Sequence, residues 1–237
     1  MKIDICIPSL HRKEKLDRCL NSLFRADGLE NVTVYLYLSD ETEYQHYWSY
    51  FDFAKDKVKV ILLPQYKVPE FWNGHLASMT ADCMVCCNDD CEFHKDTITN
   101  ILKEFPDKFP DYDGVMGIRQ SNAIDEQGFE GAFTVIGRKY ADRFPNRQVW
   151  CIDYWRLHAD AEMTNYAKSI GKFHYEPKCQ IIHWHPAFGG VIDATHIKVR
   201  EYREADKKTF RIRRARGLLW GKDFELIYKG ESCIKLV

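Results

Sequence analysis

The 237-residue sequence has no run approaching the roughly 20 apolar residues that a membrane-crossing helix needs, so no transmembrane segment is expected. It also lacks an excess of either charge: 34 Lys and Arg against 35 Asp and Glu leave a formal net charge of -1. That balance excludes a nucleic-acid footprint spread over the whole surface, though charge can still be segregated locally. Met1 to Pro8 lacks the charged stretch and long apolar core of a secretory leader and reads as one short strand. Cysteine is plentiful, but the count of nine is odd and the residues cluster in apolar runs. A reducing, cytoplasmic setting is expected rather than a disulfide framework. Cys83, Cys86, Cys87 and Cys91 suggest zinc, yet Cys86 and Cys87 are adjacent and would face opposite sides of a strand. Buried small thiols are the plainer reading.

What is present is an alternation of apolar runs and amphipathic segments. Lys2 to Pro8 reads as a strand, followed by a helical pattern with Leu16, Cys19, Leu20 and Leu23 on one face. Asn31 to Leu38 and Val58 to Leu63 read as further strands, with a helix expected over Tyr44 to Ala54 between them. Phe71 to Ala81 has helical spacing and leads into Cys83 to Cys87, a buried strand. Asp96 to Phe105 reads as a helix stopped by Pro106, and Val115 to Ile118 and Gly131 to Gly137 as strands. Met163 to Ile170 reads as a helix capped by Gly171, followed by strand-like Lys172 to Tyr175 and Ile181 to His185. Strands alternating with helices imply parallel pairing through crossovers, hence an α/β sheet covered on both faces.

Two constellations carry chemistry. The apolar strand Cys83 to Cys87 stops abruptly at Asn88-Asp89-Asp90, delivering two carboxylates to the end of a strand where open sheets bind ligands. Such acids suit a hard divalent cation shared with substrate phosphates, or simply a polar turn. Asp40 likewise follows a strand. The second constellation is Asp160 and Glu162 ahead of the Met163 helix, with His183 and His185 alternating about Trp184 so that both project from one strand face. Asp160 is also placed to complement the helix dipole, its purely structural use.

With these residues in place, the chain resembles nucleotide-diphospho-sugar glycosyltransferases of the GT-A fold, closest in pattern to glycosyltransferase family 2. IDICIPSLHRKEKLDRCLNSL resembles that family's first strand, nucleotide-binding turn and first helix, and Asn73-Gly74 followed by Asn88-Asp89-Asp90 resembles the lead-in to its DxD-type metal motif. Asp160 stands eleven residues before Gly171, as the base of the family's later Glu-Asp motif does, while Ala159 replaces the usual Glu. EPKCQIIHWH resembles its Pro-to-His spacing. The resemblance implies a three-layer αβα Rossmann-like mixed sheet in one domain, residues 1–195, with a nucleotide-sugar half over 1–92 and an acceptor half over 93–195. It implies an inverting hexosyl or related transfer from a UDP-sugar to an acceptor hydroxyl, assisted by Mn2+ or Mg2+. Pro8, Ser9, Arg12, Asp40, Asn73, Asn88 and Asp89 would bind the donor, Asp90, His183 and secondarily His185 the metal, and Asp160 would be the base, with Glu162 a second acid or acceptor contact.

Residues 196–237 form a basic extension beyond that pattern, with Arg211, Arg213, Arg214 and Arg216 ahead of Leu218, Leu219 and Trp220. Its readings are a solvated helix packed on the domain, a peripheral contact with an anionic inner membrane face, or a contact with a phosphate-bearing acceptor such as nucleic acid. The acceptor is thus a glycan, a lipid-linked glycan or a nucleic acid. Pro8 to Arg12 lacks the Gly-rich loop of a sugar-phosphate nucleotidylyltransferase. The alternative from another class is a non-catalytic nucleotide- or glycan-binding module, which Asn88 and Ala159 favour.

Overall fold

The computed structural model of the chain describes residues 1–45, 56–63, 67–123 and 131–222. In β1 (Ile3–Pro8), Ile3, Ile5 and Ile7 enter one core and Cys6 enters another. Side chains alternate across a strand, so one that is apolar on both sides needs a sheet covered on both sides. β1 pairs in parallel with β2 (Val32–Leu38) and with β4 (Cys83–Cys86), and β2 pairs in parallel with β3 (Val58–Leu62). β5 (Cys91–Phe93), β6 (Val115–Gln120), β7 (Thr134–Gly137) and β8 (Phe173–His183) extend this into one eight-stranded sheet of order β3-β2-β1-β4-β7-β6-β8-β5. β7 runs antiparallel to both β4 and β6, so the sheet is mixed.

Helices cover both faces. α1 (Lys13–Phe24) and α3 (Thr97–Lys108) bury Leu16, Leu20, Leu23, Ile98, Ile101 and Phe105 in the core that holds Ile5. α2 (Val68–Ser78), α4 (Arg138–Ala141) and α5 (Ala159–Ser169) send Phe71, Leu76, Tyr140 and Met163 into the opposite core. Two cores on two faces give the three-layer architecture that the sequence implies.

Among the boundaries that differ from the sequence reading, three have a local cause. Pro106 does not stop α3, which continues to Lys108; the ring falls in the last turn, and Phe109 still bonds back to the Phe105 carbonyl. α5 begins at Ala159, so Asp160 and Glu162 lie inside its first turn rather than before it, because His158 takes a left-handed conformation (φ 69°) that starts the helix early. The two expected late strands are one, β8, and its register against β6 jumps from Ile118↔Glu176 to Arg119↔Gln180. Pro177, which has no amide hydrogen for a ladder, sits in the looped-out stretch. The expected Tyr44 to Ala54 helix lies mostly outside the described residues; residues 41–45 are helical.

The C-terminal helix α6 (Ala194–Ala215) is bound to the domain along its length. Asp206 is fully buried and accepts the backbone N–H groups of Trp155, Arg156 and Leu157 at 2.8–2.9 Å. Tyr202 stacks on Trp155 with ring centroids 4.6 Å apart, and Phe210 stacks on His158 at the same separation. Arg213 is buried too, its Nε 3.0 Å from Glu162. Positions 202, 206, 210 and 213 repeat at helical spacing, so one face of α6 is a docking face. Arg213 therefore cannot be one of the solvent-facing basic residues expected of the extension.

Candidate active site

β1, β2 and β4 are parallel, so their carboxyl ends meet on one edge, and the chain folds a cavity of about 380 Å³ there. Pro8, Ser9 and Arg12 line it from the end of β1, Ser39 from the end of β2, and Asn88 and Asp89 from beyond β4. Trp155 and Arg156 enter from the loop before α5, and Lys67 from the start of α2. α6 supplies Thr195, Lys198, Val199 and Tyr202. The sequence-predicted donor residues Pro8, Ser9, Arg12, Asn88 and Asp89 are thus brought to one cavity.

At its edge Asp89 and Asp90 are both buried, 3% and 4% exposed, and adjacent in sequence. Two neighbouring carboxylates withdrawn from water need cations. Arg12 supplies one: its Nη1 donates to Asp89 Oδ1 and its Nη2 to Asp90 Oδ2 at 2.9 Å, while its Nε reaches Asp193 Oδ2 at 2.9 Å. Burial works to raise the Asp90 pKa, but His183 and Arg12 hold it well below the usual carboxylate range; Asp89, with burial dominant, is pushed up.

His183 ends β8, and its Nδ1–H donates to Gln120 Oε1 at 2.8 Å. Its Nε2 then faces Asp90 Oδ1 at 3.3 Å, paired with the carboxylate oxygen that Arg12 leaves open. A carboxylate oxygen and an imidazole nitrogen turned toward each other, with the far ring nitrogen anchored, are an arrangement compatible with cation binding. Among the described residues no three His, Cys, Asp or Glu side chains form a ready ligand set. The two donors fit a cation whose remaining positions are filled by ligand oxygens and water. His185 lies beside His183, with ring centroids 5.3 Å apart, but its Nδ1 accepts from the Ala187 amide. Burial lowers its pKa to about 4, so the ring is neutral and presents Nε2–H, a donor rather than a metal ligand.

Asp160 is half-buried in the first turn of α5, accepts from the Ala161 amide, and has its pKa raised by burial. It is not part of the cavity lining, and three residues separate it from Arg156, which is. Asp40 sits next to cavity-lining Ser39; its Oδ1 caps the Glu43 amide and its Oδ2 is 2.9 Å from His11 Nε2. Asn73 and Glu162 are placed otherwise than expected. Asn73 is buried in the core, with both ends of its amide bonded to the Trp150 backbone at 2.8 and 3.0 Å. Glu162, 4% exposed, has both oxygens engaged by Arg213 Nε, so it holds α6 and has no free face for an acceptor.

The residues that sequence reasoning missed are Gln120, Asp193, Arg156, Lys198 and Tyr202. Only Asp193 carried a local signal: an N-cap type before a long helical pattern, with its side chain accepting from the His196 amide. The described cysteines are buried free thiols; burial pushes Cys91, for example, up to about 11. Neutral buried thiols leave no support for the zinc reading.

Residues 4–183 match the family model for Glycosyl transferase family 2. No curated protein sequence matches the chain. Among solved structures, the chain is similar to the mannosyltransferase PcManGT from Pyrobaculum calidifontis in complex with GDP-Man and Mn2+, with a TM-score of 0.61 at 13% identity over 77% of this chain and 56% of that one. It is similar also to S. aureus TarS 1-349 in complex with UDP, with a TM-score of 0.57 at 14% identity over 74% of this chain and 58% of that one. At these identities the likeness shows the fold, and the chain spans little more than half the length of either structure.

Proposed function

Because the chain belongs to glycosyl transferase family 2, we propose that it moves a sugar from a nucleotide-diphosphate donor, preferentially a UDP-sugar, to an acceptor hydroxyl. The observation that carries this reading is the pairing of Asp90 Oδ1 with His183 Nε2, next to Asp89 and bonded to Arg12, two residues that line a cavity at the ends of three parallel strands. Asp90 and His183 would hold the divalent ion, with Asp89 beside them; an imidazole in the donor set favours Mn2+ over Mg2+. When bound, that ion neutralises charge on the departing diphosphate, a contribution of several kcal/mol. The complexes of neighbouring structures with GDP-Man and Mn2+ and with UDP support the choice of ligand class. UDP is preferred here because Asp40 stands where the family meets the nucleobase.

The protein's own part is to bind, orient and move one proton. Arg156 and Lys198 present cations to the cavity for the diphosphate. Asp160, whose raised pKa makes it a better proton acceptor than an exposed aspartate, takes the hydroxyl proton of the acceptor. The acceptor oxygen forms a bond to the anomeric carbon as the bond to the diphosphate oxygen breaks, and the nucleoside diphosphate leaves with the electron pair. One displacement inverts the anomeric configuration. The acceptor is a glycan, a lipid-linked glycan or a nucleic acid; exposed Arg211 and Arg214 on α6 and Arg216 just past its end are the contact for an anionic partner, at a cytoplasmic membrane face or on the acceptor.

Incubation with a panel of UDP-sugars and Mn2+ tests this. Release of UDP above buffer, lost in Asp90→Asn, is expected. Ala159 in place of the family's Glu favours the second reading, a non-catalytic binding module; donor binding with neither hydrolysis nor transfer would establish that instead.

A further inference from the structure

The side chain of Arg12 is only 5% exposed, and three carboxylates surround its guanidinium: Asp89, Asp90 and Asp193. The first two are the acids beyond β4, and the third is the N-cap of α6, which lies past the family-matched residues. Asp193 also meets Lys15 Nζ at 2.7 Å. Burial opposes ionisation of Asp193, but bonds from Lys15, the His196 amide and Arg12 hold its pKa well below the carboxylate range. Arg12 thus sits in a cage of ionised or ion-paired acids, two of them the acids a divalent cation would use.

Asp90 Oδ2 accepts from Arg12, while Oδ1 is turned to His183. A divalent ion at Oδ1 would put a second cation on a buried carboxylate that already pairs with Arg12, and although the two use different oxygens they repel across it, so each weakens the other's binding. A diphosphate arriving with the metal offers the guanidinium replacement acceptors of matching geometry.

We propose that Arg12 is a resident counter-cation of the metal-binding carboxylates, anchored to α6 through Asp193, and that it competes with the divalent ion until a diphosphate draws it away. This rests on the metal–diphosphate reading above. Metal and nucleoside diphosphate then bind as a pair, each weakly alone, and the coupling is reciprocal. It also gives α6 a part in donor binding, because the Arg12 anchor is the residue that starts that helix.

The test uses the full chain and counts free Mn2+ by its electron paramagnetic resonance signal, with and without UDP. In the wild type, UDP should tighten Mn2+ binding by about 10-fold or more, within the usual range of coupling between sites. Arg12→Gln should bind Mn2+ alone about 10-fold more tightly than the wild type, bind UDP more weakly, and lose the coupling. Arg12→Lys keeps a cation in the cage and should keep Mn2+ alone weak, which covers the case in which Arg12→Gln does not fold. Mn2+ affinity that is the same with and without UDP overturns the proposal while leaving the site intact, as does an Arg12→Gln variant whose affinity for Mn2+ alone is unchanged or weaker. If Mn2+ does not bind even with UDP, the underlying metal–diphosphate reading fails as well.

Discussion

At the scale of single residues, position in sequence and job in the structure diverge most where the same residue type serves both core and site. Asp160 and Asn73 were drawn from the same family pattern, yet Asp160 is half-buried with a raised pKa, whereas Asn73 is closed inside a hydrogen-bonded core contact. Asp160→Asn should lower turnover by about 10²- to 10⁴-fold while leaving UDP affinity nearly unchanged, since a base acts on the transition state and not on the bound donor. Near-normal kcat in that variant would remove Asp160 from the mechanism. Asn73→Ala should do the reverse: it strands a buried N–H and a carbonyl of Trp150, at a cost of about 2–4 kcal/mol in urea unfolding, with donor affinity retained. That Asp90 follows a strand and His183 ends one was legible, because acids after an apolar run and a histidine closing one are local patterns. Gln120 was not, because its contact with His183 joins positions 63 residues apart.

At the scale of elements, amphipathic spacing told helix from strand well, and the errors sit where one residue overrode it. His158 shifted a helix start by its backbone conformation, and the looped-out stretch at Pro177 lets one strand carry what apolar periodicity reads as two. α6 was legible as a basic helix, but its docking face was hidden: Asp206 and Arg213 look solvent-facing by type and are buried by partnership. Asp206→Ala should leave three backbone N–H groups unsatisfied, lower stability by roughly 3–5 kcal/mol and loosen the cavity wall that Tyr202 and Lys198 form. Hydrogen exchange of the 155–157 amides would show it directly. Asp113, buried and bonded by Arg143 and Lys172, ties the turn after α4 and the entry to β8 to the sheet; the Arg143 bond, the largest cause, lowers its pKa from 3.8 to about 2. A carboxylate with a depressed folded pKa contributes stability above its unfolded value, and loses it as pH falls through the folded one. Asp113→Asn should therefore cost about 2 kcal/mol at pH 6, and the gap to wild type should close between pH 4 and pH 2. A gap independent of pH would contradict that assignment.

At the scale of the whole molecule, the parallel half of the sheet followed from alternating strands and helices, because sequential strands joined by crossovers tend to pair. The second half did not: β7 inserts antiparallel between β4 and β6, and β5 joins the far edge beside β8. Those pairings come from non-local packing, and no local signal encodes them. The result is that β1, β2 and β4 present their ends to one cavity while the far strand β8 returns His183 to Asp90. That convergence is the central claim, and ligand-dependent melting tests it most directly. A ligand at about 100 times its Kd adds about 2.7 kcal/mol, which moves Tm by roughly 5–10 °C in a domain of this size. UDP with Mn2+ should raise the Tm of the wild type by that amount, UDP or Mn2+ alone should raise it far less, and Asp90→Asn should abolish the joint shift. An equal shift from UDP with and without Mn2+, retained in Asp90→Asn, would contradict a metal–diphosphate site at Asp90 and His183.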